Sequence, residues 1–216
     1  MTVLDVFATP EKIVVAVDTA FSIGAVEDHP LNVHPAMRYP GVANLFPLVN
    51  TGGLIAGRGH YGFLAGVVTA CMMKPGFGFD EHLVTLCETC AATREMVARE
   101  LTRAGQPVPH DVGEILLAGW SPVLQRMVAR LCFAATPAAP FGVVDLVSDW
   151  IAPDTYEGAD LSVTADAATV VDLARAQVAK FGASSLPAIG GRLVRATLTR
   201  HQVVIDSAIN LDAPAT

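Results

Sequence analysis

Charged side chains are scarce in this chain. Asp, Glu, Lys and Arg make up 16% of its 216 residues, where about 25% is usual for a soluble domain. Hydrophobic residues reach 52%, and the mean hydropathy is +0.45. That composition excludes disorder, because disordered segments are polar and strongly charged. Basic residues are the scarcer sign, 14 against 21 acidic, for a net charge of −7. This balance argues against a phosphate-binding surface, so no nucleic-acid partner is expected. Long apolar runs are missing as well. The longest, Phe63 to Met73, stops at Lys74 after eleven residues, whereas a bilayer-crossing helix needs about 20. No membrane span is expected. The opening MTVLDVFATPEK has no basic n-region and no apolar h-region, so no secretory signal is expected either.

Cysteine is also sparse: Cys71, Cys87, Cys90 and Cys132 are too few to suggest a disulfide framework in a chain of this length. Cys87 and Cys90 form a CxxC inside a helical pattern, without a second CxxC, and read as small core residues. His29 and His34 share the loop DHPLNVH with Asp28, but their spacing matches no strong ligand motif. No metal and no other cofactor is expected. What remains is one soluble, cytoplasmic domain over residues 1–216. Its shortage of charge is explained most simply if part of its surface is buried against copies of itself, as a homo-oligomer.

The element pattern starts with a β-hairpin, VLDVFA and IVVAVDTA, joined by a turn at Pro10. Residues 22–43 carry Pro30, Pro35 and Pro40 and read as a long loop. LFPLV and LIAG make a second hairpin around the turn NTGG. The period then changes. An apolar helix is predicted over 62–73 and a second over 80–104, with Asp80 as N-cap and a staple between Phe79 and Val84. Leu83, Leu86, Cys87, Cys90, Val97 and Leu101 form its apolar stripe. EILLAGW and MVARLCF read as strands. A loop over 136–164 encloses a short strand at Phe141–Leu146. A third helix runs from Asp166 to Gly182 with Val170, Ala174, Val178 and Phe181 on one face, and RLVRATLT and QVVID close the chain as a hairpin. Strands, two helices, strands, one helix and strands fit an α+β fold, a four-layer α-β-β-α sandwich with helices outside two sheets.

Gly57, Gly59 and Gly62 spell GxGxxG between a short strand and a helix, the arrangement of a dinucleotide fingerprint. The acidic residues about 20 positions on, Asp80 and Glu81, begin a helix after KPGFGF instead of ending a second strand. Half of the required unit is missing, and a dinucleotide-binding enzyme is the third-ranked reading.

The order of hairpin, Asp-terminated strand, LIAGRG, two helices and ILLAGWSP resembles a proteasome β-type or HslV-like subunit of the N-terminal-nucleophile hydrolases. VVAVDTA is similar to that family's second strand, LIAGRG to its strand entering the first helix, and ILLAGW to its strand after the second helix. ATVVDLARAQV and AIGGRLV are similar to its last helix and to the opening of its final hairpin. The resemblance implies a nucleophilic N-terminal Thr that acts on peptide bonds with its own α-amine as base. Thr2 would be that residue once Met1 is removed, with Asp18 sixteen residues on as the orienting carboxylate and Gly59 as the oxyanion-hole N–H. The position of the family's lysine falls on Asn44, or on Leu45 with a one-residue shift; Arg38 and Arg58 are substitute cations. Leu186 and Ile189 stand where the family has supporting polar groups, and VSDWIAPD replaces its Gly-Ser-Gly-Ser stretch. The resemblance therefore implies a degenerate site in a weakly active or noncatalytic self-assembling subunit. The alternative is a working N-terminal threonine peptidase or amidohydrolase. The plainer role of these residues is structural: Asp18 bonding backbone, Gly59 permitting close packing and Thr2 opening a strand.

Overall fold

The computed structural model describes residues 3–19, 44–108, 113–136, 139–152, 167–181 and 191–211. Thr2, Arg38, Leu186, Ile189, the loop over 22–43 with its histidines, and both expected end residues of the third helix lie outside them. The fold is α+β, and the described residues form two antiparallel five-stranded sheets and three helices.

The first sheet has the order β10-β9-β2-β1-β8. Its strands are β1 (Leu4–Ala8), β2 (Lys12–Asp18), β8 (Trp150–Ala152), β9 (Arg192–Thr199) and β10 (Gln202–Asn210). Strands β1 and β2 are buried almost throughout, so they lack the polar alternation of a half-exposed strand. One face, with Leu4, Val6, Val15 and Val17, packs into a cluster shared with Leu54, Leu116 and Leu131 of the second sheet. The other face, with Phe7, Val14 and Ala16, packs with Val170, Leu173 and Ala174 of α3 (Ala167–Phe181).

The second sheet runs β3-β4-β5-β6-β7. It consists of β3 (Leu45–Leu48), β4 (Gly53–Gly59), β5 (Gly113–Ser121), β6 (Arg126–Phe133) and β7 (Gly142–Leu146). Helices α1 (Tyr61–Met72) and α2 (Phe79–Arg103) share a third cluster with this sheet. Its centre is Phe63, whose ring stacks on Phe141 at 5.6 Å. The α2 stripe behaves as its spacing predicts: Leu83, Leu86, Cys90 and Val97 are buried, and Cys87 and Leu101 pack against them. The four thiols are free, Cys87 half-buried and the others buried.

Five expectations need correction. The N-cap of α2 is Gly78, whose N–H donates to Glu81 Oε2 at 2.9 Å, and not Asp80. Asp80 is drawn instead across to Ser121 Oγ and the Val123 N–H, and Val84 stays exposed, so no staple forms. The stretch read as a loop after Leu146 contains β8, which pairs with β1 through Trp150, Ile151 and Ala152. β10 runs on to Asn210 past a register shift between Asp206 and Ile209, a bulge that the expected QVVID did not include. Val49 turns outward beyond β3.

Candidate functional site

The ends of the two sheets can be matched. The Met127 N–H, at the start of β6, donates to Pro10 O in the β1–β2 turn at 2.8 Å. The Arg200 guanidinium, in the β9–β10 turn, lies 4.9 Å over the Trp120 ring near the end of β5. The hairpin turns of the first sheet therefore meet the β5–β6 turn of the second. The opposite strand ends share the other end of the molecule. Asp18, Asn44 and Gly59 all belong to that end.

Asp18 closes β2 and is fully buried. The β1–β2 register pairs Leu4 with Val17, which sets residue 3 opposite Asp18. The Val3 N–H donates to Asp18 Oδ1 at 2.9 Å. The carboxylate thus holds the backbone immediately after Thr2. The side-chain-to-backbone bond proposed as the plain role of Asp18 is present.

Asn44 precedes β3 and is 7% exposed. Its carbonyl accepts the Gly57 N–H at 3.0 Å, extending the β3–β4 ladder by one rung. Gly59 ends β4 opposite Gly113, and both have a left-handed backbone, φ +115° and +112°. A side chain on Gly113 would collide with the Arg58 carbonyl oxygen. Gly59 lies two residues ahead of α1, whose first turn carries no acidic side chain and has no side-chain cap. A helix start of this kind leaves N–H groups that favour negative charge.

Arg58 answers the question of a substitute cation. It follows the alternation of Leu54 and Ala56, which face the first sheet, and forms a bidentate pair with Glu114 at 2.7 and 3.0 Å. The charge is at the right end of the fold, but a carboxylate is already opposite it. Glu114 was not singled out in the sequence. Its only signal is a charge opening the otherwise apolar EILLAGW.

A second missed residue is Asp5. It is fully buried on the same face as Asp18, and its Oδ1 accepts from Gln177 Nε2 of α3 at 2.7 Å. Burial pushes its pKa from 3.8 up to about 7; bonds from Gln177 and the Ala152 backbone oppose that rise, and the charge on Asp18 adds to it. Among the described residues its Oδ2 has no hydrogen-bond partner. Two neighbouring carboxyl groups are therefore held in different environments. An acid inside the apolar run VLDVFA was a visible signal; Gln177, 172 residues away, was not.

The glycine fingerprint has another explanation. β4 is antiparallel to both β3 and β5, and α1 leads into α2 without an intervening strand. A Cβ at Gly57 would stand 2.6 Å from Glu114 O and 3.1 Å from Leu64 Cδ1. Gly57 is needed for the approach of β4 to β5 and α1, without any pyrophosphate. The parallel βαβ context of a dinucleotide site is absent among the described residues.

Cys87 Sγ and Cys132 Sγ are 3.9 Å apart inside the helix-covered cluster, where burial pushes the Cys87 thiol up to about 11. Among the described residues, no group of three or more His, Cys, Asp or Glu side chains is placed to hold a metal ion. No helix of the described residues is long and apolar enough to cross a membrane. No known protein family and no curated protein matches the chain.

Proposed function

We propose that this chain is a proteasome β-type or HslV-like member of the N-terminal-nucleophile fold whose hydrolytic site is degenerate. In this reading the three hydrophobic clusters are the three interlayers of a four-layer α-β-β-α sandwich, α1 and α2 on one side and α3 on the other. The observation that carries it is the Asp18 bond to the Val3 N–H, because it sets a buried carboxylate beside the backbone that follows Thr2. Gly59, at the same end and next to the start of α1, fits an oxyanion-hole donor. The degeneracy follows from Asn44 in the lysine's place and from Arg58 being matched by Glu114. An amide cannot lower the pKa of a hydroxyl or amine as an ammonium does.

The expected result is little or no hydrolysis of peptide substrates and no labelling of Thr2 by threonine-directed electrophiles. Loss of one positioned charge or donor already costs several kcal/mol of transition-state stabilisation. Intact-mass analysis first establishes whether Met1 is removed, since a retained Met1 blocks the α-amine. The processed protein is then incubated with the electrophile and its adducts are mapped. A stoichiometric adduct on Thr2, absent in Thr2→Ala, would overturn the degenerate reading in favour of an active threonine hydrolase in which Arg38, Arg58 or another group replaces the lysine.

Self-assembly, as a ring or stacked rings in the cytoplasm, belongs to the same proposal. Its support is the outer face of α1 and α2, where the exposed Met73 and Met96 line an open groove of about 610 Å³. Apolar surface of this kind is a feature of association sites. Multi-angle light scattering should give a mass several times that of the chain, and Met73→Glu with Met96→Glu should lower it. A stable monomer of the unmodified protein at micromolar concentration would refute the assembly.

A further inference from the structure

A small cavity of about 70 Å³ lies away from the strand ends described above, between the β3–β4 turn and the connection from α1 to α2. Asn50, Thr51, Cys71, Lys74, Phe77 and His82 contribute to its wall. A single water needs about 10–15 Å³ of such space, so the cavity has room for a molecule of several heavy atoms.

Two of its groups are underused. His82 is 3% exposed, yet among the described residues its Nδ1 has no hydrogen-bond partner. A polar atom at that depth normally has one. Burial and the nearby Lys74 lower the imidazole pKa, and Glu81 partly opposes them, so the ring is neutral at pH 7 and carries one N–H. The Lys74 ammonium is half-buried and donates to Thr89 Oγ1 at 2.9 Å and Thr85 Oγ1 at 3.3 Å. An ammonium has three protons; Nζ also lies 5.4 Å from the centroid of the Phe77 ring, and the third proton has no hydrogen-bond acceptor among the described residues. Both acceptors are neutral, and among the described residues no carboxylate pairs with Lys74.

The acids nearest in sequence are engaged elsewhere. Glu81 accepts from the Gly78 N–H, and Asp80 accepts from Ser121 and Val123. The described residues of the cavity wall include no Asp or Glu. Among the described residues the cavity therefore combines a cation without an ion-pair partner and a buried nitrogen lacking a hydrogen bond, with the nearby Glu81 carboxylate engaged at the start of α2.

We infer that this cavity is a binding site for a small monovalent oxyanion of the size of formate, with Lys74 supplying the charge and His82 Nδ1–H a second donor. Two hydroxyls of α2 and the Phe77 ring hold the ammonium, so little freedom is left to lose on binding. The small volume favours short carboxylates over dianions such as succinate. Charge excludes neutral ligands of the same size as preferred occupants.

The test uses the whole protein with sodium formate as probe and sodium succinate at equal ionic strength as the disfavoured anion. The imidazole ¹⁵N resonances of His82, assigned through His82→Gln, should move saturably with formate and remain still with succinate. Lys74→Gln should weaken formate binding by about tenfold or more, the loss expected for a charge-assisted bond. Lys74→Arg should retain part of it. Equal responses to the two salts, no response to formate, or an unchanged formate affinity in Lys74→Gln would each overturn the site and leave a water-filled cavity. If Lys74→Gln fails to fold, the formate–succinate difference in the unmodified protein decides the matter.

Discussion

Asp5→Asn is expected to remove a fall in stability that the unmodified protein shows as pH rises from about 4 to 7. The folded carboxyl has a pKa of about 7 against an ordinary 3.8. Across that interval the folded state holds a proton that the unfolded chain has released. Unfolding therefore releases a proton, and stability falls with rising pH until both states are ionised. A separation of about three pH units corresponds to roughly 4 kcal/mol at 1.36 kcal/mol per unit. Asparagine is neutral throughout and can still accept from Gln177 Nε2. Its stability minus that of the unmodified protein should therefore grow by up to about 4 kcal/mol between pH 4 and pH 8. Urea unfolding at a series of pH values checks this. The difference is the informative quantity, because a constant offset from repacking the amide cancels. Parallel curves for the two proteins would show that Asp5 is ionised in the fold.

Phe63→Ala should be the most damaging single change in the helix-covered cluster. Phe63 is fully buried, and its ring lies on that of Phe141 with 7° between the planes. Truncation removes the transfer contribution and leaves a cavity between α1, α2 and the second sheet, at a cost of about 3–5 kcal/mol. Loss of the aromatic pair is part of that cost. Arg94, whose guanidinium sits 4.7 Å over the Phe141 ring and donates to Ala139 O, would lose a firm platform. In a protein of this size each kcal/mol shifts Tm by about 2–4 °C, so a fall of roughly 6–20 °C is expected by calorimetry. Phe63→Leu, which keeps most of the volume, should cost less than half as much. Similar Tm values for Ala and Phe at this position would contradict the packing described.

The same cluster shows how far local pattern reaches. The stripe on α2 was legible because a helix repeats its buried face every three to four residues, whatever it packs against. Its start was not. Asp80 has the chemistry of an N-cap, but Ser121 and the Val123 N–H, 41 and 43 residues away, compete for it. Gly78 and Glu81 then close the helix end. β8 escaped notice for a different reason: three residues beside a single partner strand have no period to detect.

At the candidate site the division runs the same way. The apolar strands and their turn at Pro10 set the first hairpin, and its register brings residue 3 opposite Asp18 by counting alone. The spacing of Thr2, Asp18 and Gly59 could therefore be read from the chain. Tertiary structure alone decided that Arg58 meets Glu114, that Gln177 reaches Asp5, and that Gly57 serves strand packing. Each of these depends on elements distant in sequence that are brought together by burial, which is non-directional and leaves no local mark. Hairpins and helix faces are written in neighbouring residues; the partner of a buried charge depends on which surfaces the whole core brings together.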